Sequence, residues 1–470
     1  MKKKLLKNLS ANSIQLIANQ QFGFIIFYVL STALDKGSFG QISLALALLM
    51  VIFNILSFGI DQLAVRKIAF GEDRGTVVSL YLVHVLATGL IFYVLLFWSV
   101  SFFPGINPNN LLLLIGVGKL AIYFSTPFKQ TVIGMERFRL LAYMSIASNT
   151  ARGCALVVLA LLHDVNLHSV VIVFITGDIL ELTLSAILFK INTRLPLISR
   201  WNKQSYLDLI RSSLPQLGVT VITSALARFD WIFIGLVVSA VKLAEYSFAY
   251  KIFELSVLPL LALAPVLIPW FTKFFKQNNH DFSGLIKVAR FEMIIAGLTV
   301  LLLNVCWVPV IDPLTAGKYG AVNQVTIFIL SLCIPLQYFT NFLWTIFFAK
   351  GQLKLILNAF IITLTVTICG DIILIPSYKN EGAAVAFLAG YIAQTIFYCY
   401  KNEQKPINKL AFNLAIYTAS ACGGFLLVKS FSTNFWLEIL IAVSVYFIAL
   451  TVTRCIKLTE IRWLRPAIVS

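Results

Sequence analysis

Leu111-Leu112-Leu113-Leu114-Ile115-Gly116-Val117-Gly118-Lys119-Leu120-Ala121-Ile122-Tyr123-Phe124-Ser125-Thr126-Pro127-Phe128-Lys129-Gln130 is long enough, at about 20 residues, to cross a bilayer core of about 30 Å as a helix. Lys119, Tyr123, Thr126 and Gln130 fall at i, i+4, i+7 and i+11, so they share one helix face. A cation at mid-bilayer costs roughly 2.5–3.5 kcal/mol on insertion scales. A span that carries one needs a protein or water-lined surface for that face. The stretch therefore predicts a bundle with a polar interior rather than a lone anchor.

The rest of the chain has the same character. Of its 470 residues, 59% are hydrophobic and 12% charged, against roughly 25% charged in soluble domains, and the mean hydropathy is +0.89. A soluble globular protein is excluded. An apolar run reaching about residue 34 follows Lys2, Lys3, Lys4 and Lys7 and reads as an uncleaved first span with its N-terminus inside. Further spans are expected at 39–60, 77–97, 111–130, 141–162, 169–189, 214–238, 245–271, 291–310, 323–348, 355–375, 383–400, 411–429 and 434–453. Fourteen spans leave no loop able to hold a folded domain, which excludes an attached soluble catalytic module.

The formal charge of +17 would suggest nucleic acid on a soluble protein. Here it follows topology. Alternate loops and the two ends hold 28 Lys and Arg, the opposite loops five, which predicts both termini in the cytoplasm. The seven cysteines and four histidines are dispersed without ligand or triad spacing, so neither disulfide nor metal site is expected. No phosphate-cradling G-x-x-x-x-G-K-[ST] occurs, so ATP is not the direct driver, and no cofactor is expected.

Internal repetition organises the spans. Residues 36–45 recur in character at 242–249, and 134–141 at 349–356. A six-span repeat preserves orientation, as in transporters built from parallel repeats. The expected fold is an all-α polytopic membrane protein of about fourteen helices: two pseudo-symmetric six-helix lobes around a central cavity, plus two C-terminal helices. The boundaries read as an N-lobe at 1–190, a cytoplasmic linker at 191–213, a C-lobe at 214–400, and an appendage with the C-terminal tail at 401–470.

Ionisable groups inside spans are the functional candidates. Four cations lie there, Lys119, Arg152, Arg228 and Lys251, with the acids Asp178, Glu181, Asp230 and Glu254 and, less deeply, Asp61, Glu292 and Asp371. Polar stripes accompany them: Asn12, Gln15, Asn19 and Gly23; Ser145, Asn149 and Arg152; Tyr246, Tyr250 and Glu254; Ser331, Tyr338, Asn341 and Thr345. Lys119 and Arg152 have no acid on their own span, so they require a partner from another helix or an anionic substrate. Lys119, Arg152, Arg228, Lys251, Tyr123, Tyr250, Asn149 and Asn341 are the expected substrate contacts. Asp178, Glu181, Asp230, Glu254 and Asp61 are the expected coupling sites for a proton or sodium ion. Pro259, Pro265, Pro269 and Pro335 should kink their spans and offer hinges.

Several segments resemble the polysaccharide exporter branch, of O-antigen flippase type, in the multidrug/oligosaccharidyl-lipid/polysaccharide exporter superfamily. They are Phe39-Gly40-Gln41-Ile42-Ser43-Leu44-Ala45, Phe58-Gly59-Ile60-Asp61 with Val65-Arg66-Lys67-Ile68-Ala69, Gly134-Met135-Glu136-Arg137-Phe138, Leu209-Ile210-Arg211-Ser212-Ser213-Leu214-Pro215, Phe229-Asp230-Trp231-Ile232-Phe233-Ile234-Gly235, Tyr246-Ser247-Phe248-Ala249-Tyr250-Lys251-Ile252-Phe253-Glu254 and Glu381-Gly382-Ala383-Ala384. The resemblance covers residues 1 to about 400. It implies a V-shaped pair of six-helix bundles that moves undecaprenyl-diphosphate-linked oligosaccharide across a bacterial plasma membrane by alternating access. Its partners would be that substrate, membrane lipid, and a polymerase and chain-length regulator of the same pathway, with no nucleic acid. Fourteen spans depart from the twelve common in this branch. A multidrug cation exporter of the same superfamily is the alternative, and a membrane-embedded glycosyltransferase or polymerase a more distant one. The expected protein is not an enzyme.

Overall fold

The computed structural model describes residues 19–102, 110–195, 202–260, 267, 271, 274, 275, 283–403, 405–429 and 434–455. These residues form helices and connecting turns, with no strand among them. The chain divides into two compact units, Met1–Ala244 and Glu245–Ser470. The segment 191–213, read from sequence as the linker, lies within the first.

In the first unit the helices are α1 (19–33), α2 (Lys36–Leu56), α3 (Ile60–Ala69), α4 (Arg74–Phe102), α5 (Leu111–Gly134), α6 (Phe138–Leu161), α7 (Leu167–Thr193) and α8 (Lys203–Phe233), and α9 (Ala240–Ser256) crosses the division. Side-chain caps set several starts by satisfying the free N–H groups of the first turn. Asp35 Oδ1 accepts the Ser38 N–H at 3.0 Å at the head of α2. Asn166 and Ser169 form a reciprocal capping box at the head of α7. Between α2 and α3 the chain turns through Phe58 and Gly59, both at positive φ. Gly59 is required there twice over, because a Cβ would also stand 2.6 Å from the Leu217 backbone nitrogen of α8. A π-turn at Ile234–Val238 ends α8, and extended Ser239 separates it from α9.

The second unit holds α10 (Ser283–Thr315), α11 (Gln324–Ala349), α12 (Leu353–Lys401), α13 (Lys405–Lys429) and α14 (Phe435–Val452). Helix α12 is 49 residues long, but Lys379 inside it has φ 51° and ψ −123°. Its two arms fold back on each other: a Cβ on Gly370 would stand 2.8 Å from Ala386 Cβ, and one on Gly390 would meet Thr367 Oγ1 at 2.2 Å. It is a helical hairpin and supplies the two spans expected at 355–375 and 383–400.

Eleven helices among the described residues are long and apolar enough to cross a membrane. The hairpin accounts for one span more, and the first and eighth expected spans fall partly on residues outside the description. The protein is an all-α polytopic membrane protein, as expected from sequence. Exposed Leu90, Ile91, Val94, Leu95, Phe97 and Trp98 along α4 form the continuous apolar surface that lipid covers. Pro335 lies inside α11 and Pro127 inside α5. Pro265 and Pro269 lie outside the described residues.

One repeat found in the sequence folds as one device in both units. After α5, Arg137 N–H reaches Val132 O at 3.0 Å and Glu136 stands at φ 57°; after α11, Gln352 N–H reaches Phe347 O at 2.9 Å and Gly351 stands at φ 73°. Each is a helix stop with a left-handed residue and a hydrogen bond that reaches five residues back, followed directly by the next helix.

Candidate functional site

Helices α5, α6 and α7 pack on one another, and their charged residues converge in a buried network. Asp178 and Glu181 are three residues apart on α7 and present both carboxylates to one side. Asp178 is wholly buried and accepts from Lys119 Nζ at 2.7 Å and from the Arg152 guanidinium. Glu181 accepts from Arg152 NH2 at 2.8 Å, from Lys129 Nζ, and from Ser148 Oγ at 2.6 Å. Arg152 NH2 also donates to Asn149 Oδ1 at 2.7 Å, and Asn149 Nδ2 to Asn19 Oδ1 at 2.9 Å.

Small residues make room for these charges. A Cβ on Gly118 would lie 2.7 Å from Asp178 Oδ2, and one on Gly177 would lie 2.2 Å from Arg152 Cγ. Burying charges is tolerable only when each is paired and hydrogen-bonded, and here the two carboxylates meet three cations. One positive charge is left over. Lys119 is the most open member, its side chain 22% exposed against 8% for Arg152 and 0% for Asp178, and its ammonium lies 5.5 Å from the Phe174 ring centre.

The network bears on two expectations. Lys119 and Arg152 find their acids on α7, so the candidate substrate cations and the candidate coupling acids Asp178 and Glu181 form one assembly. The single stripe expected on α5 is split. Lys119 turns toward α7, while Tyr123 OH pairs with Thr88 Oγ1 at 2.9 Å and Thr126 lies 3.4 Å from Tyr81 OH, which donates to Asp61. Helix α5 packs against α7 and also against α3 and α4, so different neighbours draw its polar residues apart.

The remaining sequence-derived candidates lie elsewhere. Arg228 NH1 donates to Ala227 O at 2.8 Å and its guanidinium sits 4.5 Å from the Trp231 ring centre; Asp230 Oδ1 accepts the Trp231 N–H at 2.8 Å. In the second unit Lys251 and Glu254 pair with each other at 2.7 Å within α9. Tyr250 is packed edge-on against Phe253 and Phe387. Asn341 Nδ2 is buried with no hydrogen-bond partner among the described residues. Asn12 and Gln15 of the first polar stripe lie outside the described residues.

Two features escaped the sequence reading. Lys129 counts there as a cytoplasmic charge because it stands near the end of its span, but its side chain is 14% exposed and holds Glu181; a helical lysine leans toward the N-terminus, one turn deeper than its Cα. Glu292 ranks there among the shallower acids. It is fully buried, neither carboxyl oxygen has a partner among the described residues, and the equally unpartnered Tyr338 hydroxyl of α11 lies within its electrostatic reach.

Comparison with known proteins was made by sequence and by fold. Residues 5–275 match the family model described as polysaccharide biosynthesis protein. No curated protein matches the chain. Among solved structures, the lipid II flippase MurJ in an inward closed conformation superposes with a TM-score of 0.76 at 14% identity, covering 94% of this chain and 98% of that one. An inward-facing multidrug resistance MATE family transporter of the MOP superfamily gives 0.61 at 13% identity, covering 90% and 100%. The Vibrio cholerae MATE transporter VcmN gives 0.58 at 13%, covering 89% and 98%. At such identities the likeness is one of fold.

Proposed function

The chain belongs to the polysaccharide biosynthesis protein family, and from that membership we propose that it is a flippase for undecaprenyl-diphosphate-linked oligosaccharide, the repeat unit of an O-antigen or another surface polysaccharide. It moves this substrate from the cytoplasmic to the outer leaflet of a bacterial plasma membrane by alternating access, without catalysing a reaction. The partition of Lys and Arg, 28 against five, supports cytoplasmic termini. A polymerase and a chain-length regulator of the same pathway would receive the product.

The observation that carries this reading is the surplus positive charge of the α5–α6–α7 network, with Lys119 at its open edge. A diphosphate offers stronger and more numerous acceptors than one carboxylate. Arriving at Lys119, it takes over that ammonium, while Asp178 keeps Arg152. The released carboxylate lone pairs are then free for a proton or sodium ion, which couples substrate arrival to ion binding. The isoprenoid tail stays in lipid. A net-positive site disfavours an organic cation, which weighs against the multidrug exporter.

Flipping in proteoliposomes tests the proposal. A fluorescent undecaprenyl-diphospho-oligosaccharide is placed in one leaflet and its enzymatic accessibility followed from the other, with organic-cation dye efflux as the control. Protein-dependent exposure without dye efflux is expected, reduced at least tenfold in Lys119→Ala. Dye efflux without exposure would replace the flippase by the exporter.

A further inference from the structure

A second cationic site lies away from the buried network, where α5 stops and α6 starts. Arg139 and Tyr143 are four residues apart on α6, and Leu188 and Asn192 four apart on α7, so each pair shares one helix face. With Glu136 and Arg137 of the turn they line a cavity of about 490 Å³, within the roughly 300–1,000 Å³ typical of small-ligand sites. Arg137 NH1 donates to Asn192 O at 2.6 Å, which fixes that guanidinium at the cavity edge and leaves its other donors uncommitted. Among the described residues Arg139 has no hydrogen-bond or ion-pair partner, and Glu136 pairs with neither arginine. Three neighbouring charges are thus held apart around an opening instead of neutralising one another. Tyr143 stands 67% exposed beside them.

The cavity sits at the edge of the lipid-covered surface. Exposed Ile172, Ile179, Leu180, Ile187 and Ile191 run along α7 up to this level, where the polar Asn192 and the exposed Lys190 and Arg194 follow. We propose that this cavity binds the headgroup of an anionic glycerophospholipid. The phosphodiester lies between the Arg137 and Arg139 guanidiniums, whose planar donors suit phosphate. Glycerol hydroxyls donate to the Glu136 carboxylate, the Tyr143 ring covers the headgroup, and the acyl chains run down over Leu188, Ile187 and Ile191. A basic pocket between membrane helices near a water interface is the general form of such sites. The inference is independent of what the protein transports.

Native mass spectrometry of the purified full chain tests it, with phosphatidylglycerol, phosphatidylethanolamine and phosphatidylcholine added in turn and inorganic phosphate as the free-anion control. Phosphatidylglycerol should be retained at least tenfold more than phosphatidylcholine, with no binding of phosphate alone. Arg137→Ala/Arg139→Ala should lose that preference. Arg139→Ala/Tyr143→Ala, which leaves the Arg137–Asn192 bond intact, should lose it as well if the first variant does not fold. Lys354→Ala/Lys401→Ala removes equal charge elsewhere and should stay within twofold of the parent. Equal retention of the three lipids, preference for phosphatidylethanolamine, binding of phosphate alone, or an equal loss in the Lys354/Lys401 variant would each overturn the site.

Discussion

In the first unit Asp178 and Glu181 are ringed by Lys119, Lys129, Arg152 and the Ser148 hydroxyl. In the second unit Glu292 is buried as deeply, with no hydrogen-bond donor to either oxygen among the described residues. The two arrangements differ in what they can do. A paired carboxylate can exchange one partner for another, and its cations can pass to a stronger acceptor. A bare carboxyl has nothing to exchange and can only acquire a partner. On the proposed function the first unit thus holds the groups that meet an anion, while Glu292 has no such pairing to exchange among the described residues.

The largest effect expected is on the paired side. Asp178→Ala takes from Lys119 its only carboxylate among the described residues and leaves Arg152 with Glu181 alone, and leaving a cation of such a network unpaired costs up to about 3–5 kcal/mol. Thermal unfolding in detergent should show that loss, and the double variant Asp178→Ala/Lys119→Met, which also removes the cation left without a carboxylate, should recover most of it. Lys119→Met comes next. Asp178 keeps Arg152, so stability should fall by no more than about 1–2 kcal/mol while flipping falls at least tenfold. If the Lys119 variant instead flips at the parental rate, the network is a scaffold and the contrast between the units has no functional content.

On the unpaired side the expected effect is small. Glu292→Gln removes no hydrogen bond made among the described residues, so unfolding should shift by less than about 1 kcal/mol. A shift as large as that of Asp178→Ala would place an undescribed partner against Glu292 and erase the comparison.

The architecture was legible in the sequence because a membrane span is a property of one contiguous segment. Twenty apolar residues and the charge asymmetry of the loops are local quantities, and they anticipate even the hairpin at Lys379, where Pro376-Ser377-Tyr378-Lys379-Asn380-Glu381-Gly382 interrupts one apolar run. The identity of the charged residues was legible for the same reason. Their pairing was not. Whether Lys119 meets an acid depends on how α5 is rotated against α7, and periodicity shows which residues share a face without showing what that face meets. Lys129 shows the limit most clearly, since its place near a helix end marks it as a solvated charge while its side chain reaches inward to Glu181.

The smallest effect lies outside both clusters and bears on how the first unit's helices are started. Asp35 caps α2, and its carboxyl is held below the usual carboxylate range by the Ser38 side chain and backbone N–H. A carboxyl lowered in the folded state contributes stability that is present above its unfolded value of about 4. That contribution is lost as the pH falls through the lower folded value. Asp35→Ala should therefore cost about 1 kcal/mol at neutral pH and less as the carboxyl is protonated, so the unfolding curves of variant and parent converge as the pH falls below the unfolded value of about 4. Curves that stay parallel below that value would mean that the cap is not holding α2 and that its start is fixed by packing alone.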